Sequence, residues 1–101
     1  MEACILCAAA CERCLDACLA EPNVEEMTRC IRLDRDCADI CRLAAVLMQR
    51  DSELAQEFCQ LCARICDACA EECSKHKAEH CQKCAAACRE CASACRRMAQ
   101  A

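Results

Sequence analysis

Cysteine is the residue type in this sequence whose number and spacing could do chemistry. The chain has 101 residues, of which 18 are cysteines. Spacings of 3, 4, 3 and 4 residues occur three times, at Cys4, Cys7, Cys11, Cys14 and Cys18, at Cys59, Cys62, Cys66, Cys69 and Cys73, and at Cys81, Cys84, Cys88, Cys91 and Cys95. At about 100° per residue, five positions spaced in this way fall within an arc of about 80° on a helix. Each set therefore predicts one helix face covered with thiols.

A fourth segment keeps the same register with fewer cysteines, namely Cys30, Cys37 and Cys41. The other positions of its stripe are occupied by Met27, Asp34, Ala44 and Met48. For Asp34, a hydrogen-bonded place in the seam between helices is favoured over a ligand role. For Met48 and Met98, ordinary packing is favoured.

The composition predicts an all-α fold. The sequence has no glycine and one proline, so it lacks the turn residues that a sheet of short strands needs. Pro22 ends the first helix, and Asn23 with Glu26 predicts a capping box at the start of the second. Asp51 or Ser52 is the expected cap of the third. We expect one domain, 1–101, with helices at about 2–19, 24–49, 52–73 and 77–99. Short connections make neighbouring helices antiparallel, so the predicted fold is an antiparallel up-down-up-down four-helix bundle with a cysteine-lined core.

Charge and hydropathy exclude several classes of protein. The net charge is −4 and the only aromatic residue is one phenylalanine, which argues against nucleic acid as a partner. No apolar run approaches the length of a transmembrane helix, and the N-terminus lacks the pattern of a signal peptide. We therefore expect a cytoplasmic protein without a membrane partner, in a compartment where thiols stay reduced.

Three interpretations of the thiol stripes differ in chemistry. Cysteine could pack as a small hydrophobe, but it fills a core less well than leucine does. Disulfides along a stripe would close very short loops and remove little chain entropy. The third interpretation is metal binding, and the net charge of the metal–thiolate sites distinguishes the candidate metals. Four thiolates around Zn²⁺ leave two excess negative charges at each site, which a dry core disfavours.

Cu(I) is the metal that the pattern favours, because it is soft, prefers thiolates and accepts low coordination numbers. Two thiolates that share one ion lie roughly 4 to 5 Å apart, and cysteines four residues apart on a helix meet this condition. Seven such pairs exist: Cys7 with Cys11, Cys14 with Cys18, Cys37 with Cys41, Cys62 with Cys66, Cys69 with Cys73, Cys84 with Cys88, and Cys91 with Cys95. If each thiolate also bridges to a neighbouring ion, about one Cu(I) per cysteine gives a column without net charge, which a core can accommodate.

The sequence also resembles a known family, most specifically from Cys59 to Met98, where the run ECSKHKAEHCQKCAAACRECASACRRM occurs. It is similar to the cysteine-rich four-helix-bundle copper storage proteins of bacteria, in their cytosolic branch. The resemblance implies a homotetramer of bundles. Each bundle would store many Cu(I) ions along its axis through cysteine thiolates.

Two histidines lie around the connection between the third and fourth helices. His76 and His80 are four residues apart, and the antiparallel topology brings Met27 to the same end of the bundle. One interpretation is that these three residues are weaker, neutral ligands that receive copper at the mouth. The other is that the histidines are ordinary solvated surface residues.

These observations predict a cytosolic Cu(I) store that is not an enzyme. The alternatives are a zinc or general soft-metal buffer resembling metallothionein, and a thiol redox protein. A redox protein needs an exposed thiol of low pKa with a resolving partner, and no cysteine pair stands apart from the repeat in that way. A copper chaperone is the candidate partner for delivery.

Overall fold

The computed structural model describes residues 1–100, and it confirms the all-α four-helix bundle. Its helices are α1 (Glu2–Leu19), α2 (Thr28–Gln49), α3 (Ala55–Ser74) and α4 (Glu79–Gln100), with a short 3₁₀ helix at Val24–Met27 before α2. Each α-helix packs against its two neighbours around a ring, α1 with α2, α2 with α3, α3 with α4, and α4 with α1. The bundle measures 44 × 18 × 17 Å. None of the helices within residues 1–100 is long and apolar enough to cross a membrane.

The second helix begins later than predicted. Val24–Met27 form a 3₁₀ turn, and the α-helix starts at Thr28 rather than at residue 24. The expected capping box is wrong, because the Asn23 side chain donates to the Glu26 carboxylate (3.1 Å) instead of accepting a backbone N–H. The chain must reverse direction within a few residues of the end of α1, and the tighter 3₁₀ winding accommodates that reversal.

The third helix also begins later than predicted. Asp51 has a φ of 52°, a left-handed conformation that aspartate tolerates better than most residues. Two backbone hydrogen bonds of 3.2 and 2.9 Å, donated by Asp51 and Ser52, close the last turn of α2 around it. The Ser52 hydroxyl then accepts from the Leu54 N–H (3.1 Å), so it stabilises the turn rather than the helix start. As a result α3 begins at Ala55 instead of residue 52.

The fourth helix begins at Glu79 instead of residue 77. The Gln82 side chain reaches back across the connection and donates to the carbonyl oxygens of His76 (2.6 Å) and Ser74 (3.3 Å). These bonds satisfy carbonyl groups that the end of α3 leaves free. They also fix the segment that carries His76 against the first turn of α4.

The core consists mostly of cysteine and alanine, and Met27 and Ile40 are its larger apolar members. All 18 cysteines are buried, with at most 1% of each exposed. Alanines flank the thiol stripes and are also buried, namely Ala8, Ala38, Ala45, Ala63, Ala70, Ala85 and Ala92. Larger apolar side chains such as Phe58 and Leu61 pack only partly buried against this core. Because alanine is small, neighbouring helices approach closely enough for their thiols to meet on one axis.

Enlarging one of the flanking alanines should destabilise the bundle. Ala85 is fully buried, and we expect Ala85→Leu to lower the free energy of unfolding by about 1–3 kcal/mol because the added methyl groups overpack the core. Ala86, the next residue, is exposed, so Ala86→Leu is the matched control and should be nearly neutral. Denaturant unfolding of the reduced proteins measures both. Equal stabilities of the two variants would show that the bundle does not require neighbouring helices to approach closely at Ala85.

Candidate metal centre

The cysteine side chains form one continuous column along the bundle axis, here called the thiol column, which contains all 18 cysteines. Sγ atoms of neighbouring helices lie close together, with Cys30 and Cys73 3.4 Å apart and Cys4 and Cys95 3.5 Å apart. Every cysteine is a free thiol. These separations are well above the S–S bond length of about 2.05 Å. The sulfur atoms are thus not bonded to one another, and the prediction that the stripes face inward is confirmed.

Thiols within one helix also meet. In six of the seven pairs spaced by four residues, the two Sγ atoms lie 3.9 to 4.0 Å apart. This separation is slightly below the roughly 4 to 5 Å that two thiolates sharing one Cu(I) require. A small rotation of the side chains would open each pair to that distance.

Groups of four thiols overlap along the column. In each group the four sulfur atoms lie within 4.8 Å of one another, as in Cys4, Cys62, Cys91 and Cys95; Cys7, Cys41, Cys66 and Cys91; Cys7, Cys11, Cys37 and Cys88; and Cys11, Cys69, Cys84 and Cys88. Consecutive groups share members, namely Cys91, then Cys7, then Cys11 with Cys88. A closed tetrahedral zinc site keeps four ligands for one ion. Shared sulfurs instead suit bridging thiolates, each of which serves two ions.

His80 joins the thiol column at one end. Its Nδ1 lies 3.5 Å from the Cys81 sulfur, 3.7 Å from that of Cys14 and 3.9 Å from that of Cys18. Its other ring nitrogen, Nε2, lies 2.9 Å from the Glu21 carboxylate. The imidazole therefore bridges a carboxylate near the surface and three buried thiols.

His76 and Met27 lie at the same end and line one open cavity. Nε2 of His76 lies 2.9 Å from the carboxylate of Glu72, which also accepts from Arg29 at 2.9 Å. Burial by itself raises the pKa of Glu72, but the hydrogen bonds from His76 and Arg29 outweigh it, so the pKa is lower than usual. Met27 is buried at the edge of the core. We call this end of the bundle, with Met27, His76 and His80, the entrance end.

Asp34 is fully buried inside the thiol column. Its Oδ1 accepts from the thiols of Cys69 (3.2 Å), Cys84 (3.3 Å) and Cys73 (3.6 Å), and its Oδ2 lies 3.9 Å from the Cys30 sulfur. Asp34 thus has the hydrogen-bonded place in the seam that its position in the stripe predicted. Burial raises the pKa of Asp34 to about 8.

Burial also favours the protonated form of two thiols near the ends of the column. It raises the pKa of Cys81 and that of Cys59 to about 11 each. Because the thiolate is the form that binds metal, an ion that binds either of these thiols must displace its proton.

Two residues of the site were missed in the sequence, Glu21 and Glu72. In the sequence, Glu21 is recognisable only as a residue at the end of the first helix. Glu72 is recognisable only as a residue of the polar face of the third helix. Their histidine partners are 59 and 4 residues away, respectively. The spacing of four between Glu72 and His76 was a readable signal. No local pattern points from Glu21 to His80.

The pKa of Asp34 predicts how the stability of the metal-free protein depends on pH. The carboxyl has an ordinary pKa of 3.8 in the unfolded chain and about 8 in the folded one. Between these values the folded state holds the extra proton, so stability falls as pH rises, by up to about 1.4 kcal/mol per pH unit. Asp34→Asn stays neutral and should remove this slope. Unfolding of reduced wild type and variant at pH 5.5, 6.5 and 7.5 measures it.

Both proteins keep the same histidines and thiols, so contributions from those groups cancel in the comparison. Parallel pH profiles for wild type and Asp34→Asn would mean that the Asp34 carboxyl is ionised in the core.

This four-helix bundle buries free thiols, and the thiols form overlapping groups. Such a core defines the class of proteins that bind several soft metal ions together. The sequence matches the copper storage protein family over residues 1–100. The chain belongs to this family, which confirms the resemblance predicted from the sequence. The family points to metal storage rather than catalysis.

Solved structures agree with this assignment. The Cu(I)-bound copper storage protein BsCsp3 of Bacillus subtilis is 55% identical, with a TM-score of 0.93 over 97% of this chain and 92% of its own. A cytosolic copper storage protein from Streptomyces lividans, in a structure with five coppers, is 43% identical, with a TM-score of 0.95 over 99% of this chain and 88% of its own. An uncharacterized cysteine-rich protein of Bacillus subtilis, YhjQ, is 54% identical over 57 residues, which is 56% of this chain and 53% of that protein.

Proposed function

We propose that this protein stores Cu(I) along the thiol column and receives it through the entrance end. The observation that carries the proposal is the overlap of the four-thiol groups, in which one sulfur belongs to two neighbouring sites. Bridging of this kind lets thiolates and Cu(I) ions alternate in a ratio of about one to one. The proposed ligands are the 18 cysteines, with His80, His76 and Met27 as weaker ligands at the entrance end.

Charge explains why Cu(I) suits this core. Each Cu(I) that replaces a thiol proton exchanges one positive charge for another, so the loaded column is as neutral as the protonated one. A chain of Zn²⁺ ions with four thiolates each would instead accumulate two negative charges per site in a dry interior. The binding of Cu(I) by BsCsp3 and the loading of the Streptomyces lividans protein with 10 copper equivalents support the same assignment.

The entrance end differs from the opposite end in its ligands. At the entrance end an imidazole reaches from the surface to three thiols, and a thioether lies beside the second histidine. Both groups are neutral and bind Cu(I) less strongly than a thiolate, so they can pass the ion inward. At the opposite end, where Cys4 and Cys95 meet, Met48 and Met98 pack against the core.

A redox function is disfavoured by exposure. Thiol redox proteins attack through an accessible thiolate of low pKa. Every cysteine in this chain is at most 1% exposed, and burial raises the pKa of Cys59 and that of Cys81. The protein therefore presents no accessible thiolate that could attack the disulfide of a partner.

We further propose that the protein works in the cytosol as a homotetramer supplied by a copper chaperone. The Streptomyces lividans relative is described as cytosolic, and the free thiols suit a reducing compartment. Large apolar side chains are exposed near the end opposite the entrance, namely Ile5, Leu6, Leu43, Val46 and Leu54. Contact with further copies of the chain would bury them. The entrance end would stay open to a donor.

Copper capacity tests the proposed column. Anaerobic titration of the reduced protein with Cu(I), in competition with a coloured chelator, should saturate near one ion per cysteine, close to 18, because neutrality sets this ratio. Loading should also raise the melting temperature, since metal bound to the native state adds to its stability. Saturation at about four or five ions would instead indicate separate tetrahedral sites.

Replacing the two histidines tests the entrance. We expect His76→Ala with His80→Ala to slow Cu(I) uptake measured by stopped flow, while leaving capacity nearly unchanged because all thiols remain. Lys77→Ala is a control that alters an exposed residue of the same connection without removing a metal ligand. An unchanged rate would make both histidines ordinary surface residues. Loss of most of the copper capacity would mean that the principal copper sites are not in the thiol column.

A further inference from the structure

Glu21 lies two residues beyond the end of α1 and faces His80 at the start of α4. The Glu21 Oε1 and the His80 Nε2 are 2.9 Å apart, although 59 residues separate them in sequence. Both side chains are mostly shielded from solvent, with 30% of Glu21 and 23% of His80 exposed. The contact ties the connection that follows α1 to the helix that carries the histidine.

This contact decides which ring nitrogen carries the proton. A carboxylate only accepts hydrogen bonds, so Nε2 must be the donor and hold the hydrogen. In the neutral imidazole the lone pair is then on Nδ1. Nδ1 is the atom that lies 3.5 to 3.9 Å from the sulfurs of Cys81, Cys14 and Cys18. The opposite tautomer would point an N–H at the thiols and a lone pair at the carboxylate.

We propose that Glu21 is a positioning residue that holds the His80 imidazole in the tautomer and orientation whose Nδ1 lone pair accepts incoming Cu(I) beside three thiols. The proposal rests on the entrance function of His80 proposed above. Metal-binding histidines commonly donate their second ring N–H to a carboxylate, and loss of that partner costs roughly 10- to 100-fold in affinity or activity. Glu21 would act in the same way on the first ion to enter.

Neighbouring acidic residues differ from Glu21 in ways that provide controls. Glu72 contacts His76, but it also pairs with Arg29 and Lys75, so its removal would disturb several groups at once. Glu25 lies on the 3₁₀ helix at the same end and is exposed. Glu25→Ala therefore removes one negative charge from the entrance end without touching a histidine ring.

The experiment compares Glu21→Ala, Glu21→Gln, Glu25→Ala and His80→Ala in the full, reduced chain. Long-range ¹H–¹⁵N NMR spectra of the metal-free proteins report the tautomer of each histidine ring, and the His80→Ala spectrum assigns the signals. We expect His80 to be protonated on Nε2 in wild type and Glu25→Ala, and to become a mixture of tautomers in Glu21→Ala. Glu21→Gln keeps an acceptor oxygen and should recover most of the wild-type tautomer.

Stopped-flow uptake of one equivalent of Cu(I) from a chelated donor supplies the second measurement. Glu21→Ala should be slower than Glu25→Ala by roughly tenfold, and Glu21→Gln should be within about twofold of wild type. Total capacity should be the same in all four variants, and far-UV circular dichroism checks that each is folded.

Three results would overturn the proposal. One is an unchanged tautomer and rate in Glu21→Ala when His80→Ala is slow, which would leave the entrance function of His80 intact. Another is equal slowing by Glu21→Ala, Glu21→Gln and Glu25→Ala, which would assign the effect to charge at the entrance end. The third is wild-type uptake by His80→Ala, which would remove the entrance function of His80 together with this inference.

Discussion

The bundle depends on keeping a buried column of sulfur atoms electrically neutral. The thiols occupy positions where a four-helix bundle normally buries leucine, and they lie 3.4 to 4.0 Å from one another with no water-facing surface. In that setting a single unpaired thiolate is costly. Protons satisfy the constraint in the metal-free protein, and Cu(I) at about one ion per thiolate satisfies it equally well. The core can therefore exchange one kind of cation for the other without gaining net charge.

A core built for this exchange contributes less to folding than an aliphatic one. Cysteine and alanine bury little apolar area, and the larger apolar residues pack at the margins of the column or remain exposed. Alanine is nevertheless required between the stripes, since bulkier side chains would separate the helices and spread the sulfurs beyond bridging distance. The same choice of small residues brings the sulfurs together and lowers the stability of the metal-free bundle. Bound metal can supply the missing stability because it binds only the assembled column.

Two polar side chains lie among the sulfur atoms of the thiol column, and each has its own hydrogen-bond partners. Asp34 accepts from surrounding thiols, and burial favours its neutral form. His80 lies at the entrance end between the Glu21 carboxylate and three thiols. The interior carboxyl thus conforms to the neutrality of the column. The imidazole at its end links the column to the surface.

The sequence by itself determined the helices, the inward direction of the thiols and the family. The helices and the direction of the thiols follow from local periodicity, because cysteines spaced by three and four residues share a helix face whatever the rest of the chain does. The family follows from the resemblance, which is most specific between Cys59 and Met98. It failed at the helix starts, where Asn23 and Ser52 form turn contacts instead of caps, since closure between packed helices decides those turns. Tertiary structure alone decided which thiols form shared groups, where Asp34 finds its donors, and that Glu21 contacts His80. Those contacts join residues on different helices or connections, up to 91 positions apart, and their distances depend on helix packing that no local spacing encodes.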